Sequence, residues 1–163
     1  MADPKQLAIP AAALEELYRH ARAEFPNECC GYLTGEGDSL VVRCCKNRQD
    51  QLHALDPEAH PRTAANGYNI GGRELLDLVR SFEGEHPVTV IYHSHPRVGA
   101  YFSDEDARAA IAAGFPVDYL VIDAQEGTIV EAALFRRRDL ATSANDEQGE
   151  AYICIGRYEG ASI

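Results

Sequence analysis

The sequence predicts one α/β domain of the α+β kind, in which a mixed sheet is flanked by helices. Short runs rich in β-branched and aromatic residues alternate with segments whose apolar residues recur at helical spacing. The order is helix, two strands, helix, strand, helix, two strands. The chain has 163 residues, 45% of them hydrophobic, which is enough for one buried core.

The first elements are a helix and a hairpin. Residues 9–24 place apolar side chains at helical spacing, with Pro10 suited to the first turn, and Pro26 ends this helix. Residues 28–35 and 39–45 are then two strands joined by a glycine-containing turn.

The middle of the chain contains a long loop and two helices on either side of a strand. Residues 46–69 are polar and contain two prolines, so we expect a loop, and loops of this length in compact domains are often functional. Residues 71–82 have helical spacing, and 88–93 form an apolar strand. A further helix covers 103–113 and begins at Ser103.

Two more strands and a polar tail complete the chain. The strands cover residues 118–123 and 128–135, on either side of a turn. We therefore divide the chain into a folded domain, residues 1–138, and a C-terminal tail, residues 139–163, which we expect to be flexible because it is largely polar.

Charge and hydropathy exclude several classes of partner. The net charge of −11 repels nucleic acid phosphates, and no apolar run approaches the length of a membrane span. The acidity suits a basic partner protein, although it is also a common means of staying soluble. The first residues lack the basic and apolar parts of a signal peptide, so we expect a cytoplasmic protein.

The five cysteines do not form a recognisable disulfide framework, because their number is odd and four of them stand in adjacent pairs. A structural zinc site built from these pairs is disfavoured, since zinc ligands are usually spaced as C-x-x-C and adjacent strand residues face opposite ways. We expect small, buried thiols. The cysteines are Cys29, Cys30, Cys44, Cys45 and Cys154.

The most informative feature is a pair of histidines at the end of a strand. His93 and His95 follow the apolar run 88–92, and side chains two residues apart on a strand share a face. Asp106, eleven residues later, is a possible third ligand. Two histidines and one carboxylate leave the fourth position of zinc open, which is typical of a catalytic site.

Three other polar residues, Ser103, Asp106 and Glu28, can be interpreted structurally as well as chemically. Ser103 and Asp106 have the spacing of a helix capping box, which would explain both without any chemistry. The two roles are compatible, because a ligand in the first turn of a helix is rigidly placed. Glu28 enters an apolar strand, where a carboxylate is costly unless it is paired or functional, and it is the natural candidate for a general base.

Together these residues resemble the motif of the JAMM or MPN-plus (JAB1/MPN/Mov34) metalloproteases. That motif is a glutamate, followed later by H-[ST]-H-P-x(6)-S-x-x-D. The string from Phe25 to Gly31 is also similar to the Pro-x-Glu-x-Cys-Gly stretch of bacterial members. Every motif position is filled, by Glu28, His93, Ser94, His95, Pro96, Ser103 and Asp106.

The resemblance implies a zinc hydrolase in residues 1–138 with a cytidine-deaminase-like sandwich and a curved sheet. His93, His95 and Asp106 would bind one Zn²⁺ with water as the fourth ligand. Glu28 would move the proton from that water to the leaving amine, and Ser103 would hydrogen-bond the oxyanion or the water.

The resemblance also suggests a substrate class. The segment between Ala107 and Tyr119 has no room for the second insertion of eukaryotic deubiquitinating members, so the chain is closer to the compact bacterial type. Several of those act after the Gly-Gly terminus of a small ubiquitin-like sulfur carrier, and we expect residues 46–69 to grip such a carrier. Alternatives are an isopeptidase that removes a ubiquitin-like modifier and a non-catalytic MPN scaffold. A zinc deaminase is disfavoured, because the Pro-Cys-x-x-Cys motif is missing.

Overall fold

The computed structural model describes residues 7–138 and 151–162. The helices are α1 (Ala11–Glu24), α2 (Gln49–Leu55), α3 (Gly72–Ser81) and α4 (Asp104–Ala113). The strands are β1 (Cys30–Thr34), β2 (Val41–Cys45), β3 (Val88–Pro96), β4 (Asp118–Gln125), β5 (Thr128–Arg137) and β6 (Tyr152–Ser162). Across the described ranges, no helix has the length and apolar character needed to cross a membrane.

The six strands form one mixed sheet in the order β2-β1-β3-β4-β5-β6. β3 and β4 are parallel, and every other neighbouring pair is antiparallel. The parallel pair is joined through α4, as a parallel connection requires a crossover. The predicted class, a mixed sheet flanked by helices, is confirmed, and so is the β1–β2 hairpin.

Each face of the sheet is covered by different helices. Buried residues of α1 pack with one face, where Val90 and Tyr92 of β3 lie. Leu78 of α3 and Ala110 of α4 pack with the other face, together with Ile91. Because side chains alternate along a strand, the histidines of β3 point to the same side as Ile91, toward α3 and α4.

The segment predicted to be a loop, residues 46–69, contains a short helix, α2. Its seven residues include only two leucines, one of them 83% exposed, so the segment has no apolar stripe that sequence periodicity could detect. The remainder of the segment folds back on itself through side-chain bonds to its backbone, for example from Gln49 Nε2 to the carbonyl oxygen of Arg62 at 3.1 Å.

The expectation of a flexible tail is wrong for residues 152–162, which form β6. This strand pairs with β5 from Thr128 to Arg137 and buries Tyr152 and Tyr158. The hydroxyl group of Tyr18 also donates a hydrogen bond to the carbonyl oxygen of Glu159 at 2.7 Å. β5 would otherwise be an open edge, and pairing with β6 satisfies its backbone groups. Residues 139–150 and 163 of the predicted tail lie outside the described ranges.

Candidate metal centre

β3 continues through Pro96, so both histidines lie on one regular strand and share a face, as predicted. Their Nε2 atoms are 3.1 Å apart. Asp106 Oδ2 lies 3.2 Å from the Nε2 atom of His93 and 3.2 Å from that of His95. The three atoms therefore form a nearly equilateral triangle. Both rings are buried, and Asp106 is partly buried.

Asp106 is held in place by the start of α4. Ser103 is the N-cap, and its Oγ accepts a hydrogen bond from the backbone N–H of Asp106 at 3.0 Å. Asp106 Oδ2 accepts one in return from the backbone N–H of Ser103 at 3.1 Å. The predicted capping box is confirmed, and the carboxylate that completes it is also the one that faces the histidines.

The triangle has the dimensions of a zinc site. Ligand atoms about 2.0–2.1 Å from a tetrahedral zinc ion lie about 3.3–3.4 Å from each other, close to the separations of the two nitrogen atoms and the carboxylate oxygen here. The donor set, two imidazoles and one carboxylate, is also one that catalytic zinc sites use. His93, His95 and Asp106 therefore fit the metal that the sequence motif implies.

The pairing of β1 with β3 brings Glu28 to the same place. Cys30 is opposite His93, and the carbonyl oxygen of Cys29 accepts a hydrogen bond from the N–H of Ser94 at 3.2 Å. Glu28, just before β1, therefore comes close to His95. Glu28 is 5% exposed, and one carboxylate oxygen lies within 4.8 Å of a ring nitrogen atom of each histidine. Asp106 is the closer carboxylate to both rings, so Glu28 stands beside the triangle and Asp106 forms part of it.

The charges of the site act on each other strongly. Burial raises the pKa of Glu28, while the two histidines partly oppose this shift. Burial raises the pKa of Asp106 too, but His93 and His95 outweigh it, so the net shift is downward. For His93, burial lowers the pKa, and Asp106 and Glu28 reverse the direction, so the net shift is upward. The site is thus an acidic pocket that favours a positive charge between its side chains.

The two imidazoles have different neighbours on the side away from the triangle. His95 Nδ1 lies 3.0 Å from the carbonyl oxygen of Gly99, a bond in which Nδ1–H donates and Nε2 keeps its lone pair. His93 stacks on Tyr68 with ring centroids 4.4 Å apart and an angle of 21° between the rings. Tyr101 meets the ring of His95 edge-on at 4.9 Å.

A groove of about 540 Å³ opens beside the metal triangle. One wall comes from residues 59–70, and the other from α3 and α4, including Asp106. Both walls include apolar side chains, among them Ile70 and Leu78, and Leu52 of α2 also lines the groove. The segment predicted to grip a substrate therefore borders the candidate site.

Two residues of this segment were missed by sequence reasoning. Asn47 uses its amide four times: it donates to the carbonyl oxygens of Glu28 and Gly67 at 2.9 and 3.0 Å, and it accepts from the N–H groups of Gln49 and Asn69 at 3.0 and 3.1 Å. Tyr68 stacks on His93. Both make contacts distant in sequence, which leave no local pattern.

The five cysteines are free thiols, but the expected burial of the adjacent pairs is wrong for Cys44, which is exposed on β2. In the described part of the chain, the group of residues that could hold a metal contains Glu28, His93 and His95 and includes no cysteine. Cys30 and Cys45 are opposite each other on β1 and β2, and both are buried.

Fold and site together define a mixed α+β domain with a candidate metal centre, and sequence comparison gives its family. Residues 10–154 match the prokaryotic homologs of the JAB domain, and the chain belongs to that family. Proteins named CysO-cysteine peptidase, from Mycobacterium bovis and Mycobacterium tuberculosis, are 30% identical over 105 residues, which is 64% of this chain. The match spans 65% of the length of these curated relatives.

A solved structure supports the same fold. The solution structure of a protein from Desulfitobacterium hafniense superposes with a TM-score of 0.55 at 28% sequence identity. The superposition covers 79% of this chain and 84% of the other.

Proposed function

We propose that the protein is a zinc-dependent peptidase that hydrolyses the amide bond after the C-terminal Gly-Gly of a small ubiquitin-like sulfur carrier. The observation that carries the proposal is the triangle of His93, His95 and Asp106, with edges of 3.1–3.2 Å and a buried glutamate beside it. This arrangement offers three ligands and leaves a side of the metal open to substrate and water.

The family and the relatives favour this reading of the site. The chain belongs to the prokaryotic JAB homologs, and its matched relatives carry a peptidase name with CysO-cysteine as the substrate. That name fits the expectation that compact members of the family act at a sulfur-carrier terminus. A scaffold without activity would not need the complete set of histidines and carboxylates that this chain retains.

The bound zinc ion would polarise the scissile carbonyl and lower the pKa of water. Glu28 accepts a proton from the attacking water and returns it to the leaving amine, so no covalent intermediate with the protein forms. Its burial raises its pKa, which brings a carboxylate closer to the range where it both takes up and releases protons. Ser103 Oγ accepts the N–H of Asp106, so its hydroxyl proton remains available for the oxyanion.

The shape of the groove that leads to the site favours a narrow diglycine terminus. A Gly-Gly tail is narrow and extended, and the apolar groove between the 59–70 segment and α4 leads to Asp106. Side chains larger than hydrogen just before the scissile bond would have to fit beside the buried imidazoles of His93 and His95. The 46–69 segment would contact the body of the carrier.

The proposal is tested with a series of carrier–peptide fusions from the same genome. The zinc-loaded protein should cleave the fusion ending in Gly-Gly, and replacing that pair by Ala-Ala or Val-Gly should reduce kcat/KM about tenfold or more, because each added side chain must be accommodated beside the metal site. The metal-free protein is the matched control and should be inactive until zinc is returned.

Three results would redirect or overturn the proposal. Equal cleavage of all fusions would overturn the diglycine requirement and leave a general peptidase. Faster cleavage of an isopeptide-linked carrier than of any linear fusion would favour deconjugation. A wild-type protein that binds no zinc and cleaves nothing would overturn the enzymatic role and leave the scaffold alternative.

A further inference from the structure

The two histidines of the candidate metal centre are oriented by different means. A metal-binding imidazole is usually held by a hydrogen bond from its second nitrogen atom to a carbonyl or carboxylate group. His95 has such a bond, from Nδ1 to the carbonyl oxygen of Gly99 at 3.0 Å. His93 has none: within residues 7–138 and 151–162, nothing lies at hydrogen-bond distance from its buried Nδ1 atom. Another contact must therefore set the rotation of this ring.

Tyr68 provides the contact. Its ring lies nearly parallel to the imidazole, at 21°, with the centroids 4.4 Å apart. A flat ring against one face of the imidazole resists rotation about the Cβ–Cγ bond of His93, and that rotation would swing Nε2 away from Asp106 Oδ2, now 3.2 Å distant. Stacked aromatic pairs contribute about 0.5–1.5 kcal/mol beyond the area they bury.

The backbone on both sides of Tyr68 is fixed, so the ring has a defined position. Asn47 donates from Nδ2 to the carbonyl oxygen of Gly67 at 3.0 Å and accepts at Oδ1 from the N–H of Asn69 at 3.1 Å. The carbonyl oxygen of Asn69 accepts in turn from the N–H of Arg48 at 2.9 Å. The residues before and after Tyr68 are thus both bonded to the end of the β1–β2 hairpin.

We propose that Tyr68 is the positioning residue of His93, and that its stacked ring takes the place of the hydrogen bond that orients His95. The role rests on the proposed metal centre. Tyr68 also lines the groove that leads to Asp106, so the side chain that orients the ligand belongs to the wall a substrate would touch. In this role Tyr68 acts through its contact with His93.

Metal affinity tests this role independently of activity. Dissociation constants for Zn²⁺ and Co²⁺ are measured by competition with a chromophoric chelator, and the visible absorption of the Co²⁺ form reports the ligand geometry. Tyr68→Leu should weaken binding about tenfold or more, as loss of an orienting partner does in other metal sites, and should alter the Co²⁺ spectrum. Tyr68→Phe retains the stacked ring and should stay within about threefold of the wild type.

Tyr101→Leu is the matched control. Tyr101 also contacts a ligand ring, but edge-on and beside a histidine that Gly99 already orients, so its removal should change affinity by less than about threefold. If Tyr68→Leu does not fold, as judged by circular dichroism of the metal-free protein, Tyr68→Met supplies a flexible apolar replacement for the same comparison.

The outcomes separate this inference from the function on which it rests. Wild-type protein without measurable metal affinity would overturn the metal centre itself. Wild-type affinity retained by Tyr68→Leu, or an equal loss in Tyr101→Leu, would overturn the role of Tyr68 and leave the metal centre intact. An equal loss in Tyr68→Phe would assign the effect to the hydroxyl group and would also overturn the stacking role.

Discussion

Asp106 combines two tasks in one oxygen atom. Its Oδ2 accepts the backbone N–H of Ser103 at 3.1 Å and lies 3.2 Å from both imidazoles. A capping carboxylate is already fixed in its rotamer by the helix start, so binding of the proposed metal would cost little further conformational entropy. The helix stabilises the ligand, and the ligand stabilises the helix.

Substitutions should distinguish the role of Glu28 from that of the proposed metal ligands. Glu28→Gln removes the proton acceptor but keeps the shape, so zinc content and melting temperature should match the wild type while kcat falls by about 10²–10⁴. Zinc content is measured by elemental analysis, the melting temperature by thermal unfolding, and kcat from turnover of the Gly-Gly fusion. His95→Ala should instead lose the zinc.

Glu83→Gln, at an exposed position, is the control for removing a carboxylate. It should leave all three readings unchanged. If Glu28→Gln retained more than about a tenth of the wild-type kcat, another group would have to be the base, and Asp104 and Glu105 at the start of α4 would be the next to examine.

Ser103 can be tested with two substitutions that divide its roles. Ser103→Ala removes the helix cap, which should lower the free energy of unfolding by about 1 kcal/mol, and it removes the oxyanion donor, which should lower kcat about a hundredfold. Ser103→Asn keeps a good N-cap and should recover most of the stability without recovering kcat.

Urea unfolding and turnover per folded molecule distinguish these effects. An alanine variant that is less stable but turns over at the wild-type rate would limit Ser103 to capping the helix.

The positions of individual site residues could be predicted from the sequence where the residues belong to a contiguous or periodic pattern. His93 and His95 could be assigned to one face because strand geometry is regular, and Ser103 and Asp106 because a capping box has fixed spacing. Tyr68 could not be assigned, because its contact with His93 depends on how a polar segment folds over the sheet.

The pairing of β6 with β5 can be tested by a single substitution, because Gly160 of β6 lies very close to the β5 backbone. A methyl group at Gly160 would overlap the backbone carbonyl oxygens of Ile129 and Val130 on β5. Gly160→Ala should therefore lower the free energy of unfolding by about 1–3 kcal/mol through local overpacking, measured by urea denaturation.

Glu159→Ala is the neighbouring control. Its side chain is exposed, so the variant should stay within about 0.5 kcal/mol of the wild type. A Gly160→Ala protein as stable as this control would mean that β6 does not hold its register against β5 in solution.

The two elements that sequence reasoning missed have a common physical reason. α2 and β6 are stabilised by what they pack against: α2 by bonds from Gln49 and Asp50 to the loop that follows, and β6 by the ladder with β5. α2 has few apolar residues, and β6 contains two glycines, so neither has a strong intrinsic signal. The remaining helices and strands have clear apolar periodicity and were found within a few residues of their ends.

The reactivity of the five thiols shows how well the core of the whole molecule excludes solvent. Cys44 and Cys154 are exposed, whereas Cys29, Cys30 and Cys45 are buried. Burial raises the pKa of Cys29 and of Cys45 to about 12, and it raises the pKa of Cys30 as well, so these groups are also poor nucleophiles at neutral pH.

Brief alkylation of the native protein should therefore modify two thiols, and alkylation in guanidinium chloride should modify all five. Mass spectrometry of the peptides assigns the sites. Rapid native labelling of Cys30 or Cys45 would contradict the closed packing of α3 against the sheet, and labelling of Cys29 would contradict the packing of α1.

The positions of the site residues along the chain bear on how the molecule assembles. His93 on β3 and Asp106 in the crossover helix α4 are only 13 positions apart, so a short loop closure brings the proposed ligands together. Glu28 lies just before β1, and its neighbour Cys29 contacts Ser94, which is 65 positions away in the sequence. Because distant contacts cost more chain entropy, a newly synthesised chain can bring the proposed metal ligands together before the proposed proton acceptor, Glu28, docks. The proposed active site is then completed in the last step of folding, when β1 pairs with β3.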